Sequence, residues 1–353
     1  MTTQYTIVIF YIFFISAYVV SIHCKAIRGC LYKITLLIMF LLLSFQDGYG
    51  TDYNMYKIIF LKNAETDTFP DYKGFTMYYI IKAINLFTNN PIIFFSIWSA
   101  LQILFLNFML NVLYKFYNFK DKLQILMYIL ISLSFFTMMF NTLRSIFITM
   151  LVPVIFIMFY ERKKIKSLFL TIIGFMFHPT IITILPFIMV FNFFKKHYKA
   201  TFILSLFIAV FVINRANLVP SLAEFIYNNT SGDNVYRNYL VSYHMKPYAK
   251  AMFGELGIWF VLIMNLLSLV FYAKVKDSKT IFLYNLGYFA GLLRIFSYGI
   301  PIFGRVYMLF NIFEFFIAYF LFNNLKYGKT LYLGYWVLLA YLITAVKYIF
   351  SMG

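Results

Sequence analysis

Arg144, Arg294 and Arg305 each stand at or just inside one end of a long apolar run. Arginine in the apolar zone of a bilayer costs about 2.5–3.5 kcal/mol on insertion scales, so it is rarely idle there. Its planar guanidinium donates two parallel hydrogen bonds to phosphate and never loses its charge. Three such groups, with little acid inside the runs, point to a diphosphate rather than to a proton or metal-cation path. Snorkelling of each side chain to the headgroups is the plain alternative. His178 sits where an apolar stretch is interrupted by Pro179; it is either a packed ring or an acid/base and phosphate-contacting group. Asp52, between Gly50-Thr51 and Tyr53, is either a turn or helix-capping aspartate or a base. The sequence has no P-loop, no H-E-x-x-H, no G-x-S-x-G elbow and no Cys/His cluster with zinc spacing. Neither ATP nor a bound metal or other cofactor has support in it.

The elements that must position these groups are apolar helices. Of 353 residues 63% are hydrophobic, 23% aromatic and only 12% charged, where a soluble domain carries about 25% charged residues. Such a chain has too little charge to cover a water-facing surface. The expected fold is all-α: a polytopic membrane helix bundle forming a single domain over 1–353. Candidate spans are 5–22, 31–46, 91–113, 122–140, 144–160, 167–178, 180–194, 200–214, 253–273, 280–298, 305–323 and 330–350. The N-terminus lacks a basic n-region, which makes 5–22 a retained span.

The net charge of +18 is dispersed in short clusters between these runs rather than gathered on one patch, so it does not indicate nucleic acid. The clusters are Lys25/Arg28/Lys33, Lys115/Lys120/Lys122, Arg162/Lys163/Lys164/Lys166, Lys195/Lys196/Lys199, Lys274/Lys276/Lys279 and Lys326/Lys329. An outside N-terminus puts all six in the cytoplasm, which gives twelve spans with both termini outside. Cys24 and Cys30 then share a reducing loop, and their spacing matches neither a zinc pair nor a redox motif. The stretch 167–194 is too short for two ordinary crossings, yet one crossing would misplace Lys195, Lys196 and Lys199. Two short helices meeting at His178-Pro179 resolve the conflict, and such a break is tolerated only beside protein or a cavity. Outside lie a polar stretch 47–73, an amphipathic segment 74–88 in the interface, and the long loop 215–252 with five tyrosines. Gly287 and Gly291 form a G-x-x-x-G, read as close helix packing.

Gly50-Thr51-Asp52-Tyr53, Asn141-Thr142-Leu143-Arg144, Phe177-His178-Pro179-Thr180 and Gly304-Arg305-Val306-Tyr307 occur in this order and at these membrane positions. Together they resemble the EpsG-like branch of the Wzy-type bacterial polysaccharide polymerases, over about residues 45–320. Ser145 stands where that pattern usually has Gln, and Pro179 where it has a small polar residue. The resemblance implies a GT-C-like membrane glycosyltransferase of the bacterial cytoplasmic membrane. Its donor and acceptor would be undecaprenyl-diphosphate-linked oligosaccharides, joined at the outer face, with a chain-length regulator left open as a further partner. It assigns Arg144 and Arg305 to the donor diphosphate, His178 to acid/base work or phosphate contact, and Asp52 to a base or to orienting an arginine. Tyr53, Asn141, Arg294, Tyr307, Arg237 and Tyr239 are the candidate substrate contacts, since sugars need aromatic faces with polar tips. A flippase for the same lipids and an O-antigen ligase are the competing readings.

Overall fold

A computed structural model describes residues 2–46, 48, 52–66, 75–117, 119–132, 135–216, 218–229, 255–297, 301–325, 339–341 and 343. Arg237, Tyr239 and nearly all of the last candidate span lie outside these residues. Among the described residues all regular structure is helical. They form two compact units that meet in sequence between Ile182 and Thr183.

The first unit contains α1 (Thr2–His23), α2 (Arg28–Ser44), α3 (Tyr53–Thr66), α4 (Phe75–Asn85), α5 (Pro91–Tyr117), α6 (Lys122–Ser132), α7 (Phe135–Asn141), α8 (Ser145–Tyr160) and α9 (Lys164–Phe177). Asn90 and Pro91 start α5 sharply, because the Asn90 side chain accepts the Ile92 N–H at 3.0 Å and proline needs no donor at the first helical position. At 27 residues, α5 is about 40 Å long, enough to cross a hydrocarbon core. It packs against α2, α6 and α8, and α8 is buried from Ile146 to Ile157.

The turn from α8 to α9 closes with the Lys163 N–H on the Met158 carbonyl and the Arg162 N–H on the Phe159 carbonyl. This Schellman closure holds Arg162 at φ 63°. The basic loops of this unit gather at one end. Arg28 meets Asp121 at 2.9 Å, and Phe116 lies edge-on to Tyr160, ring centres 5.3 Å apart.

Two stretches differ from the sequence reading. The polar segment 47–73 contains α3, because Tyr53, Tyr56, Phe60 and Asn63 recur at helical spacing and face inward. Tyr53 stacks on Phe95 with ring centres 4.6 Å apart, and Phe60 on Phe94 at 5.2 Å. The amphipathic segment forms α4, whose apolar stripe Met77, Ile81 and Ile84 is buried by protein, against α3, α5 and α9.

The break expected at His178-Pro179 is present. Helix α9 stops at Phe177, and a 3-10 turn (Pro179–Ile184) follows, then α10 (Leu185–Met189) and α11 (Asn192–Lys195). The first half of this pair is one helix, while the second is fragmented. Gly174 makes the reversal compact, since a Cβ there would collide with the Ile181 side chain.

The second unit continues with α12 (Ala200–Arg215), α13 (Leu218–Asn229), α14 (Glu255–Tyr272), α15 (Ser278–Phe296), α16 (Pro301–Phe310) and α17 (Glu314–Leu325). Helix α15 is its centre. Asp277 caps it, accepting the Thr280 N–H at 2.8 Å and hydroxyl at 2.7 Å, and these bonds hold the carboxyl below the usual carboxylate range. The G-x-x-x-G packs as expected: a Cβ on Gly287 would lie 2.8 Å from Ile317 of α17, and one on Gly291 would lie 2.7 Å from Asn265 of α14. Tyr272 Oη accepts the Tyr198 N–H at 3.1 Å and donates to Asn285 at 3.0 Å, while Asn285 Nδ2 donates to the Phe194 and Lys196 carbonyls at 2.9 and 2.8 Å. This network brings the basic segments 195–199 and 274–279 to one end of the unit.

Pro91–Tyr117 and Gly304–Leu325 are long and apolar enough to cross a membrane, and Tyr5–Tyr18, Ser145–Tyr160, Pro179–Met189, Ala200–Arg215 and Ile258–Tyr272 are shorter apolar helices.

Candidate functional site

Gly50 and Thr51 lie outside the described residues; in the first unit, the described residues of three of the four sequence motifs converge at the end away from the basic loops. Arg144 lies between α7 and α8 and is buried, with 9% of its surface exposed. Two side chains of α5, four residues apart and so on one face, fix the chain around it. Trp98 Nε1 donates to the Leu143 carbonyl at 2.9 Å, and Gln102 Nε2 donates to the Met139 carbonyl at 3.1 Å. Buried carbonyls at a helix break need such partners, and this need explains two polar groups inside an otherwise apolar span.

Helix α3 supplies the next contact. Arg144 Nε donates to Tyr56 Oη at 3.3 Å. Asp52 stands one turn earlier, half-buried, and its carbonyl accepts the Tyr56 N–H at 3.0 Å. Both readings of Asp52 therefore have a footing: it begins a helix, and it shares the helix face of the tyrosine that touches Arg144. Asn141 is buried. Tyr53 has one ring face on Phe95, and Lys57 Nζ lies 6.0 Å from its ring centre.

His178 joins the group through aromatic packing. Phe147, three residues beyond Arg144, stacks on Phe177 with ring centres 4.4 Å apart; Trp98 and Phe105 stand edge-on to Phe147 at 5.3 and 5.0 Å. The turn at His178 is extended (φ −158°, ψ 124°). Its Nδ1 accepts the Thr180 N–H at 3.3 Å and lies 2.8 Å from Thr180 Oγ1. A backbone N–H only donates, so Nδ1 is an acceptor and the proton of the neutral ring is on Nε2. Helix α4 closes this end, with Thr76 Oγ1 donating to the Met176 carbonyl at 2.8 Å.

The second unit holds the fourth motif. Arg294 Nη1 donates to Glu314 Oε2 at 2.9 Å, with 15% and 8% of the two side chains exposed, and its guanidinium lies 5.9 Å from the Tyr307 ring centre. Arg305 is half-buried on α16, two residues before the buried Tyr307. Glu314 thus gives Arg294 an internal counter-charge that the spacing of the sequence did not reveal.

The residues missed from sequence are Tyr56 and Glu314 as partners of Arg144 and Arg294, and Trp98 and Gln102 as donors to the carbonyls of Leu143 and Met139. The signal of the last two was faint: two polar groups four residues apart inside an apolar run. Among the described residues no group of three or more His, Cys, Asp or Glu comes together. The cluster around Arg144 offers a fixed cation, a ring N–H and a carboxylate within one compact unit.

A comparison with protein families finds that the model of the EpsG family matches residues 29–353. The chain belongs to the EpsG family. No curated protein and no solved structure matches it. EpsG membership supports a polysaccharide-polymerase-like role of glycosyltransferase type, acting on lipid-linked polysaccharide substrates, and with the apolar helices it makes this a membrane protein.

Proposed function

We propose that this EpsG-family chain polymerises undecaprenyl-diphosphate-linked oligosaccharide repeat units at the outer face of the bacterial cytoplasmic membrane. In this reading residues 1–353 are one GT-C-like polytopic domain of about twelve spans, with both termini outside. The observation that carries it is the grouping of Asp52, Tyr56, Arg144 and His178 at the end of the first unit opposite its basic loops.

The chemistry follows from those atoms. The donor enters with its leaving group already attached, so neither ATP nor a nucleotide fold is needed. Arg144, oriented through Nε by Tyr56, presents its fork to the diphosphate. An acceptor hydroxyl oxygen attacks the anomeric carbon of the donor chain. The bond from that carbon to the phosphate oxygen breaks, and its electron pair leaves with undecaprenyl diphosphate. The negative charge gathering on that oxygen meets a guanidinium already in place and a low-dielectric surround, where fixed charge stabilises most. His178, with its proton on Nε2, is suited to donating to a phosphate oxygen. Asp52 is then the group that accepts the hydroxyl proton. Arg305 is proposed as the second diphosphate ligand, Tyr307 and Arg294 as the pair that shapes its surroundings, and Asn141, Tyr53, Arg237 and Tyr239 as contacts to the oligosaccharide.

The test is to incubate purified protein in vesicles with a lipid-linked repeat unit and to size the saccharide products, with and without EDTA. Ladders of increasing repeat number that persist in EDTA are the expected result. Unlengthened units that only change leaflet would replace this reading with a flippase, and ladders that require added magnesium or manganese would replace the arginine-based charge stabilisation.

A further inference from the structure

The first unit has a cleft of about 570 Å3 where α2, α5 and α6 meet, at the end carrying its basic loops. Arg28, Lys33 and Lys122 stand around it with one carboxylate, Asp121. That carboxylate is already engaged: it takes Arg28 Nη1 at 2.9 Å and the Gln124 N–H at 2.7 Å. Tyr32 Oη donates to Asn107 Oδ1 at 2.7 Å in the cleft, and Lys122 Nζ lies 5.9 Å from the Tyr32 ring centre. Helix α2 also begins here, so the positive end of its dipole adds to the lysines, whereas the start of α6 is capped by Asp121. Ile27, which precedes α2, offers no side-chain cap.

One turn further along α2, and correspondingly along α5, the lining becomes Leu36 and Leu104. The same helices then expose Ile34, Leu37, Leu41 and Phe108, side chains that only an apolar medium covers at no cost. A rim of fixed cations running into an apolar wall has the two-part chemistry of a lipid with an anionic headgroup.

We propose that this cleft is a binding site for an anionic phospholipid, its phosphate between Lys33 and Lys122 and an acyl chain along Leu36 and Leu104. The site is separate from the Arg144 cluster, which lies at the other end of α5. It requires only that the chain be embedded in a bilayer; the polymerase reading can fail without touching it.

The test is native mass spectrometry of the purified protein in detergent, titrated with phosphatidylglycerol, phosphatidylcholine or inorganic phosphate. Wild-type protein is expected to keep one phosphatidylglycerol adduct under conditions that strip phosphatidylcholine. Each lysine near a headgroup is worth roughly fivefold in binding, so Lys33→Gln with Lys122→Gln lowers that adduct by about tenfold or more, while Lys33→Arg with Lys122→Arg keeps it. Leu36→Trp fills the cleft without changing its charge and is expected to lower the adduct too, which keeps the test decisive where the lysine variant does not fold. Equal retention of the two lipids, or an adduct unchanged by Leu36→Trp, would overturn the proposal. Lysine-dependent retention of inorganic phosphate without phosphatidylglycerol would also overturn it, showing a site for a free anion.

Discussion

Arg144 illustrates how a single charge is made useful inside a greasy protein. Its backbone neighbours are pinned by Trp98 and Gln102, and its Nε is aimed by Tyr56, so the geometry of the fork is fixed before any ligand arrives. Arg144→Lys keeps the charge and loses the fork. Polymer formation by the folded variant is therefore expected to fall severely, whereas a merely snorkelling residue would tolerate lysine with wild-type ladders. Tyr56→Phe removes one hydrogen bond to a charged group, and a loss of about tenfold in turnover is expected. Membrane abundance of each variant is the control, because an orphaned buried polar group also destabilises the bundle. The Thr180 N–H on His178 Nδ1 separates the two remaining roles. His178→Gln retains an N–H donor and is expected to keep measurable polymerisation, while Asp52→Asn, which removes the base, is expected to slow it by roughly 10²–10⁴-fold. Complete loss in the glutamine variant with survival of the asparagine one would exchange the two assignments.

At the scale of elements, two backbone details decide whether α8 and α9 can lie side by side. Gly174 leaves room for Ile181 to fold back after the break, so Gly174→Val is expected to destabilise by about 1–3 kcal/mol through overpacking, with partial rescue by Ile181→Ala in a thermal-unfolding measurement in detergent. Arg162 sits in the left-handed region that glycine occupies freely. Arg162→Gly is expected to raise stability by roughly 1 kcal/mol, and a lowered unfolding temperature would mean that the Arg162 side chain contributes more than its strain costs. Much of this level was legible beforehand. Pro179 announced the break, and the G-x-x-x-G announced the packing of α15. Helix α3 was hidden because its exposed face is polar enough to read as loop, although Tyr53, Tyr56, Phe60 and Asn63 have the spacing of a helix stripe. The candidate site was legible as motifs but not as contacts. Trp98 and Gln102 act on carbonyls some forty residues away, and no local pattern encodes that pairing.

For the whole molecule, the decisive regularity is the separation of charge from chemistry. Within the first unit the loops bearing Arg28, Lys115, Lys120 and Lys163 share one end, and the Asp52–Arg144–His178 cluster occupies the other. Within the second unit the segments 195–199 and 274–279 share an end through Tyr272 and Asn285. Each unit thus sorts its basic loops as the positive-inside bias requires, even though α9 through α11 is too short and too broken to be read as two ordinary spans. The consequence is testable residue by residue. In a background with Cys24 and Cys30 replaced, cysteines placed at Lys163, Lys196 and Lys276 are expected to resist a membrane-impermeant thiol reagent in intact cells, while those at Asp67 and Asn234 are expected to react. Lys196 is the critical position, because its carbonyl is tied to Asn285 seven residues into the helix that begins after Lys276. Reaction at Lys196 with protection at Lys276 would separate two segments that this network joins, and would replace the short-helix pair at His178-Pro179 with a single crossing.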